Sequence, residues 1–180
     1  MANQVSTEKS RRRRSAKLVL QGIAPEDRRM RSERICMAIV QRYSSAAIVA
    51  TFASTILEPD LDILWDLGFF KDRVALYPRI AGSALIWCEV QQLAQLQSGD
   101  FGLRQPRGEA SNKIPDLILI PGLLFSRDCH RLGRGSGHYD RFLSALSGGG
   151  HKIGVCFRKQ LVNELPAEDH DVRMDAVITD

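Results

Sequence analysis

Five short, unbroken apolar runs punctuate the chain, at residues 47–52, 74–77, 117–120, 153–157 and 176–178. Continuous apolar character without alternation predicts strands buried on both faces. Stretches of helical periodicity separate several of these runs. Residues 60–70 read as a crossover helix after the first strand, with Leu61, Leu64, Trp65 and Leu67 on its buried side and Glu58 at its entrance. Tyr139, Phe142, Leu143 and Leu146 follow i, i+3, i+4, i+7 spacing and predict a helix starting near Tyr139. Upstream of the first strand, two helices are predicted: a basic one over about 8–21, capped by Glu8 or Ser10, and an amphipathic surface one from Pro25 to about Tyr43. Residues 84–90 suggest an extra strand followed by a helical turn, 148–150 a flexible glycine connector, and 159–165 a last short helix ended by Pro166. Strands alternating with helices predict an α/β fold: a single Rossmann-like domain over 1–180, its mostly parallel sheet covered by helices on both faces.

Candidate chemistry concentrates in Arg131-Leu-Gly-Arg-Gly-Ser-Gly-His-Tyr-Asp-Arg141. Gly133, Gly135 and Gly137 permit positive φ and close approach, so the backbone N–H groups of this loop can wrap an anion. Arg131 and Arg134 add charge, and the N-terminus of the following helix faces the same ligand. Asp140 in its first turn suits a magnesium ion bridging to phosphate. The run 116–122 ends in Pro121-Gly122, so a site at the carboxyl end of a central strand is expected. Position 138 is histidine, which rules out a third glycine of a dinucleotide fingerprint, and no Gly-Lys-Ser/Thr ending marks a triphosphatase loop.

Composition narrows the setting. The 180 residues are 44% hydrophobic and 26% charged, suiting one globular domain. Four scattered cysteines, Cys36, Cys88, Cys129 and Cys156, form no Cys-x-x-Cys pair and predict reduced thiols in the cytoplasm. The histidines lack zinc-ligand spacing, and no secretory signal or membrane span is predicted. The net charge of +4 gathers in Lys9-Ser-Arg-Arg-Arg-Arg14 with Lys17. Lys9 and Arg13 are i, i+4 neighbours able to reach one polyphosphate. The arginine run is otherwise a solvated helix face or a nucleic-acid contact, and no basic stripe with interleaved aromatics accompanies it.

Taken in order, Lys9 and Arg13, Glu58-x-Asp60, Pro78-Arg79, Phe101-Gly-Leu-x-x-Pro106, 116–122, the glycine loop and Asp171-x-x-x-Asp175 resemble the 5-formyltetrahydrofolate cyclo-ligase family, also called 5,10-methenyltetrahydrofolate synthetase. The resemblance covers nearly the whole chain. It implies an ATP-dependent closure of 5-formyltetrahydrofolate to 5,10-methenyltetrahydrofolate with release of ADP and phosphate, and with Mg2+ as cofactor. It further implies that Lys9, Arg13 and the run Arg131, Leu132, Gly133, Arg134, Gly135, Ser136, Gly137, His138 and Tyr139 hold ATP. Arg134 and Asp140 would be catalytic, and Asp140 with Asp171 would hold the metal. Ala53, Glu58, Phe101 and His138 would line the folate pocket, on a chain acting as a monomer and needing neither membrane nor nucleic acid. Three positions depart from the family pattern: His138 replaces the first aromatic of a Tyr-Tyr-Asp run, Gln105 a glutamate, and Ser136 a glycine or lysine. A same-fold relative that binds nucleotide or folate without turnover is the alternative.

Overall fold

A computed structural model describes residues 2–99, 102–146, 149–168 and 171–180. The chain opens with helices α1 (Ala2–Gln21) and α2 (Pro25–Arg42). Strand β1 (Ile48–Ala50), helix α3 (Ile63–Asp66) and the antiparallel pair β2 (Val74–Ala81) and β3 (Ala84–Val90) follow. A hairpin of β4 (Leu96–Ser98) and β5 (Arg104–Pro106) precedes β6 (Leu117–Pro121), β7 (Leu124–Ser126) and β8 (Arg131–Leu132). Helix α4 (His138–Ala145) leads to β9 (His151–Val155), β10 (Leu161–Val162) and β11 (Ala176–Ile178).

The main sheet has the order β11-β9-β6-β1-β2-β3, all parallel except the β3 edge. From β1 the chain winds outward to β2, and from β6 it winds the other way to β9 and β11. The order therefore reverses between β1 and β6, where their carboxyl ends open a crevice. Alternate residues of β6 enter opposite layers: Leu117 and Leu119 pack with Leu20, Ile35, Ile39 and Leu64 from α1, α2 and α3, whereas Ile118 and Ile120 pack with Leu143 of α4. The mostly parallel sheet with helices on both faces is thus as the periodicity predicts.

Several predicted boundaries are corrected. The first helix begins at Ala2 rather than near residue 8, because nothing in Asn3–Thr7 breaks it; Glu8 instead pairs with Arg11 and Arg12 inside the helix. The helix α2 is no surface element along its inner side, where Ile35, Cys36 and Ile39 are fully buried. The crossover helix is a single turn, ended by Gly68 at φ +68°, and Leu67 is 47% exposed rather than buried. Glu58 accordingly lies in a loop, clear of any helix N-terminus. The expected helix over 159–165 is a 3-10 turn followed by β10, since Leu161 and Val162 pair with Phe125 and Ser126. Gly150 is packed, not a loose connector: a Cβ there would meet the backbone of Pro115 and Asp116.

Gly154 of β9 faces the fully buried Phe125 ring, so a Cβ there would overlap it. Gly154→Ala is expected to cost about 1–3 kcal/mol, as overpacking does, read as a lower urea midpoint with unchanged slope. Burial also protects acidic hydrogens in the core. Cys36, whose thiol donates to the Asp60 carbonyl, is pushed up to about 12, and burial drives the Tyr77 phenol above its ordinary range. The folded state holds these protons after the unfolded chain, with thiols near ~8.5 and phenols near ~10, has lost them. Their contribution is complete at neutral pH and disappears as pH rises from about 8.5. Urea midpoints measured at pH 7, 9 and 10.5 should fall progressively.

Candidate functional site

The crevice at the β1/β6 reversal is a cleft of about 380 Å³. Phe52 and Ala53, just past β1, and Pro121 and Gly122, at the end of β6, form its floor. Ile80 and Leu85 of the β2–β3 ribbon extend an apolar wall. Lys9 and Arg13 from α1 and the loop 131–140 complete its lining. The cleft therefore combines an apolar surface suited to a flat organic ring with cations suited to an anion.

The loop owes its shape to its glycines. Gly135 at φ +108° and Gly137 at φ +67° occupy backbone states that a side chain would strain, and Gly137 is the N-cap of α4. Gly133 differs from expectation, as it is not among the positive-φ glycines; its hydrogen is required because a Cβ would lie 2.6 Å from Arg131 Nη1. Arg13 Nε donates to the Gly133 carbonyl at 2.9 Å, tying α1 to the loop.

Each charged residue assigned to the site, namely Lys9, Arg13, Glu58, Arg131, Arg134, Asp140 and Asp171, lines the cleft already engaged with a partner, whereas Asp60, Arg79 and Asp175 lie outside its lining. Lys9, with an 8% exposed side chain, donates to Glu168 Oε2 at 2.7 Å and Asp171 Oδ2 at 2.6 Å. Burial pulls the Lys9 ammonium down, but the two carboxylates outweigh it and hold its pKa above the ordinary value. Arg131 is turned inward, its Nη2 2.6 Å from Asp140 Oδ1 and its guanidinium 5.6 Å from the Tyr139 ring centroid. Arg134 reaches across the cleft to Thr55 Oγ1 at 2.5 Å and Glu58 Oε1 at 2.8 Å. His138 Nδ1 lies 2.7 Å from Ser136 Oγ, so two of the positions that depart from the family pattern bond to each other. Leu132 and Ala53 are buried beneath the cleft, whereas Phe101 lies outside the described residues.

Of the seven buried side-chain polar atoms that lack a partner among the described residues, two belong to residues of the cleft: Arg131 Nε and Tyr139 Oη. Orphans of this kind are rare in proteins. Both belong to side chains lining the cleft, where a bound anion or hydroxyl can satisfy them. Burial, followed by the nearby Glu58 charge, keeps the Tyr139 phenol protonated far above its ordinary range, so it can act as a donor throughout physiological pH.

Two participants escaped the sequence reading. Glu168 shares Lys9 with Asp171; its only signal was its acidic neighbourhood three residues upstream of Asp171. Thr55 meets both Arg134 and Glu58, and a lone threonine carries no signal at all. Gln105, noted as a departure, is buried and accepts the Ile80 N–H at 2.6 Å, which sets the apolar wall rather than a charge. Among the described residues no three His, Cys, Asp or Glu side chains gather as a metal site, and no helix is long and apolar enough to cross a membrane.

Comparison with known proteins agrees along the full length. A profile of the 5-formyltetrahydrofolate cyclo-ligase family matches residues 5–180. The mouse 5-formyltetrahydrofolate cyclo-ligase is 25% identical over 191 residues, covering 97% of this chain and 94% of that protein. The Mycolicibacterium smegmatis enzyme of the same name is 41% identical over 93 residues, a stretch that spans 47% of this chain and 45% of that protein. The Aquifex aeolicus 5,10-methenyltetrahydrofolate synthetase structure superposes with a TM-score of 0.84 at 29% identity, covering 95% of this chain and 89% of that one.

Proposed function

The chain belongs to the 5-formyltetrahydrofolate cyclo-ligase family, and on that premise we propose that it closes 5-formyltetrahydrofolate to 5,10-methenyltetrahydrofolate in an ATP-dependent reaction that releases ADP and phosphate. The observation that carries this reading is that one cleft brings together the cations Lys9, Arg13, Arg131 and Arg134, the apolar residues Ile80 and Leu85, and the buried carboxylate Glu58. A nucleoside triphosphate suits the cations and a pterin the apolar surface.

Lys9 and Arg13 approach the phosphates from α1, while Arg131, Arg134 and the amides of Gly133 to Gly137 hold them from the loop, with Leu132, Ser136 and Tyr139 completing the cradle. Glu58 accepts hydrogen bonds from the pterin, and Ala53, Phe101 and His138 contribute to the folate side. The formyl oxygen receives the terminal phosphoryl group. N10 then bonds to the formyl carbon and releases its proton as the carbon–oxygen bond breaks and phosphate departs with that oxygen, closing the ring. Such chemistry asks the protein mainly to align the reactants and neutralise charge. Arg134 is the cation best suited to the transferring group because its planar fork can hold two oxygens at once.

Asp140 and Asp171 fit Mg2+ in the manner of nucleotide enzymes, which supply one or two carboxylates and leave the remaining positions to phosphates and water. When bound, the ion neutralises charge developing on the bridging phosphate oxygens. Before it arrives, Arg131 and Lys9 hold these two carboxylates in place. In this reading the protein is a single domain over 1–180 that acts as a monomer. Free thiols, three of them buried, suit the cytoplasm.

Absorbance at the methenyl-folate band, followed after mixing protein, 5-formyltetrahydrofolate and magnesium with and without ATP, tests the reading. A rise that requires ATP is the expected result. No rise, with nucleotide and folate each bound in calorimetry, would instead establish a relative that binds without turning over.

A further inference from the structure

We infer that Thr55 is a positioning residue that sets Glu58 and Arg134 for their two substrates at once. This inference rests on the cyclo-ligase reading and deepens it. A single hydroxyl, Thr55 Oγ1, accepts from Arg134 Nη2 at 2.5 Å and donates to Glu58 Oε2 at 3.0 Å. The Thr55 backbone N–H donates to that same Glu58 oxygen at 3.0 Å. Arg134 completes the ring at Glu58 Oε1, 2.8 Å away. The Glu58 side chain is only 8% exposed, and the Arg134 side chain 37% exposed.

The consequence follows from counting. A carboxylate offers about four lone-pair positions. Thr55 takes both positions on Oε2 and Arg134 one on Oε1, so a single position on Oε1 remains open toward a ligand. Thr55 thus fixes the plane of the carboxylate and turns Oε1 outward. The same hydroxyl ties the guanidinium of the phosphate loop to the folate carboxylate, so the two halves of the cleft are held in register by one side chain. A donor on the folate takes the open position of Oε1, and a phosphate drawing Arg134 toward itself frees the second position for a further bond. Folate and nucleotide therefore bind with positive coupling, and Thr55 is the residue through which their geometry is matched.

The test compares Thr55→Val, which keeps the branched shape and removes the hydroxyl, with Thr55→Ser, which keeps the hydroxyl and removes the methyl. Calorimetric affinity for 5-formyltetrahydrofolate is measured with and without the non-hydrolysable ATP analogue AMP-PNP, alongside KM, kcat and melting temperature. Thr55→Val is expected to weaken folate binding about tenfold, as loss of a hydrogen bond to a charged group does, with a smaller fall in kcat because Arg134 loses the same hydroxyl, and a melting temperature lower by no more than a few degrees. The enhancement of folate affinity by AMP-PNP should shrink in this variant, and Thr55→Ser should restore both quantities. Unchanged affinity in Thr55→Val, or failure of Thr55→Ser to restore it, overturns the inference by showing that the methyl packing or nothing at all mattered. A wild type that binds folate without turnover refutes the cyclo-ligase reading alone, because the calorimetric series still decides the role of Thr55. A wild type that binds no folate overturns both.

Discussion

Asp140→Asn lowers turnover about 100-fold, equivalent to about 2.7 kcal/mol of transition-state stabilisation, while the protein stays folded. Asparagine preserves the size of the side chain and an oxygen able to accept from Arg131 Nη2, so the contact that spans 2.6 Å can persist. What disappears is the charge. The Arg131 side chain is 4% exposed and the Asp140 side chain 21% exposed, so the pair sits where water screens it weakly. Neutralising one member leaves the guanidinium with a weaker anchor, and a melting temperature lower by a few degrees is the accompanying cost.

Two routes lead from this charge to turnover, and a magnesium titration separates them. If Asp140 contributes directly to ion binding, Asp140→Asn needs a higher magnesium concentration for half-maximal rate and part of the deficit is recovered at saturation. If Asp140 acts through Arg131, the deficit is the same at every magnesium concentration. The first is expected, because Asp140 lines the cleft and meets Arg131 through Oδ1 alone. Turnover within threefold of wild type would remove Asp140 from the catalytic assignment altogether.

The sequence made the local chemistry readable and hid the long-range pairing. Glycine spacing before an amphipathic run located the loop and α4 to within a residue, because backbone permissiveness and helical period are local properties. Apolar runs located all five parallel strands, with ends shifted by a few residues where turns intervene. By contrast, α3 shrank to one turn because Gly68 stops it and tertiary packing of Leu61 and Leu64 needs no longer helix. Leu161 and Val162 became a strand because their partners lie 36 residues away in β7, beyond any window of periodicity. The site shows the same division. That Lys9, Arg13, Arg131 and Arg134 share a cleft with Glu58, Asp140 and Asp171 was expected, for Glu58 and Asp171 only through the family resemblance that the ordered motifs carry. Which carboxylate neutralises which cation was not, since Lys9 finds its partners 159 and 162 positions along the chain.

That distant pairing makes Lys9→Met the most damaging single change to function, with an expected loss of about 1,000-fold in kcat/KM for ATP. Methionine fills the volume of the lysine stem but removes the ammonium that bonds both Glu168 and Asp171. Two effects then act together. The nucleotide loses a point charge, and the two carboxylates, no longer balanced by Lys9, add a repulsive field to the same cleft. Stability falls by about 1–3 kcal/mol, the range for stripping a partner from a buried polar group. Lys9→Arg should rescue little, because a planar fork cannot occupy the position of a compact ammonium between two carboxylates. Adding Asp171→Asn to Lys9→Met separates the two effects: it should return part of the lost stability by removing one of the two carboxylates that Lys9 had balanced, yet leave turnover as low as in the single variant. Recovery of turnover in the double variant would mean that Lys9 serves only to neutralise Asp171 and makes no use of its charge on the nucleotide.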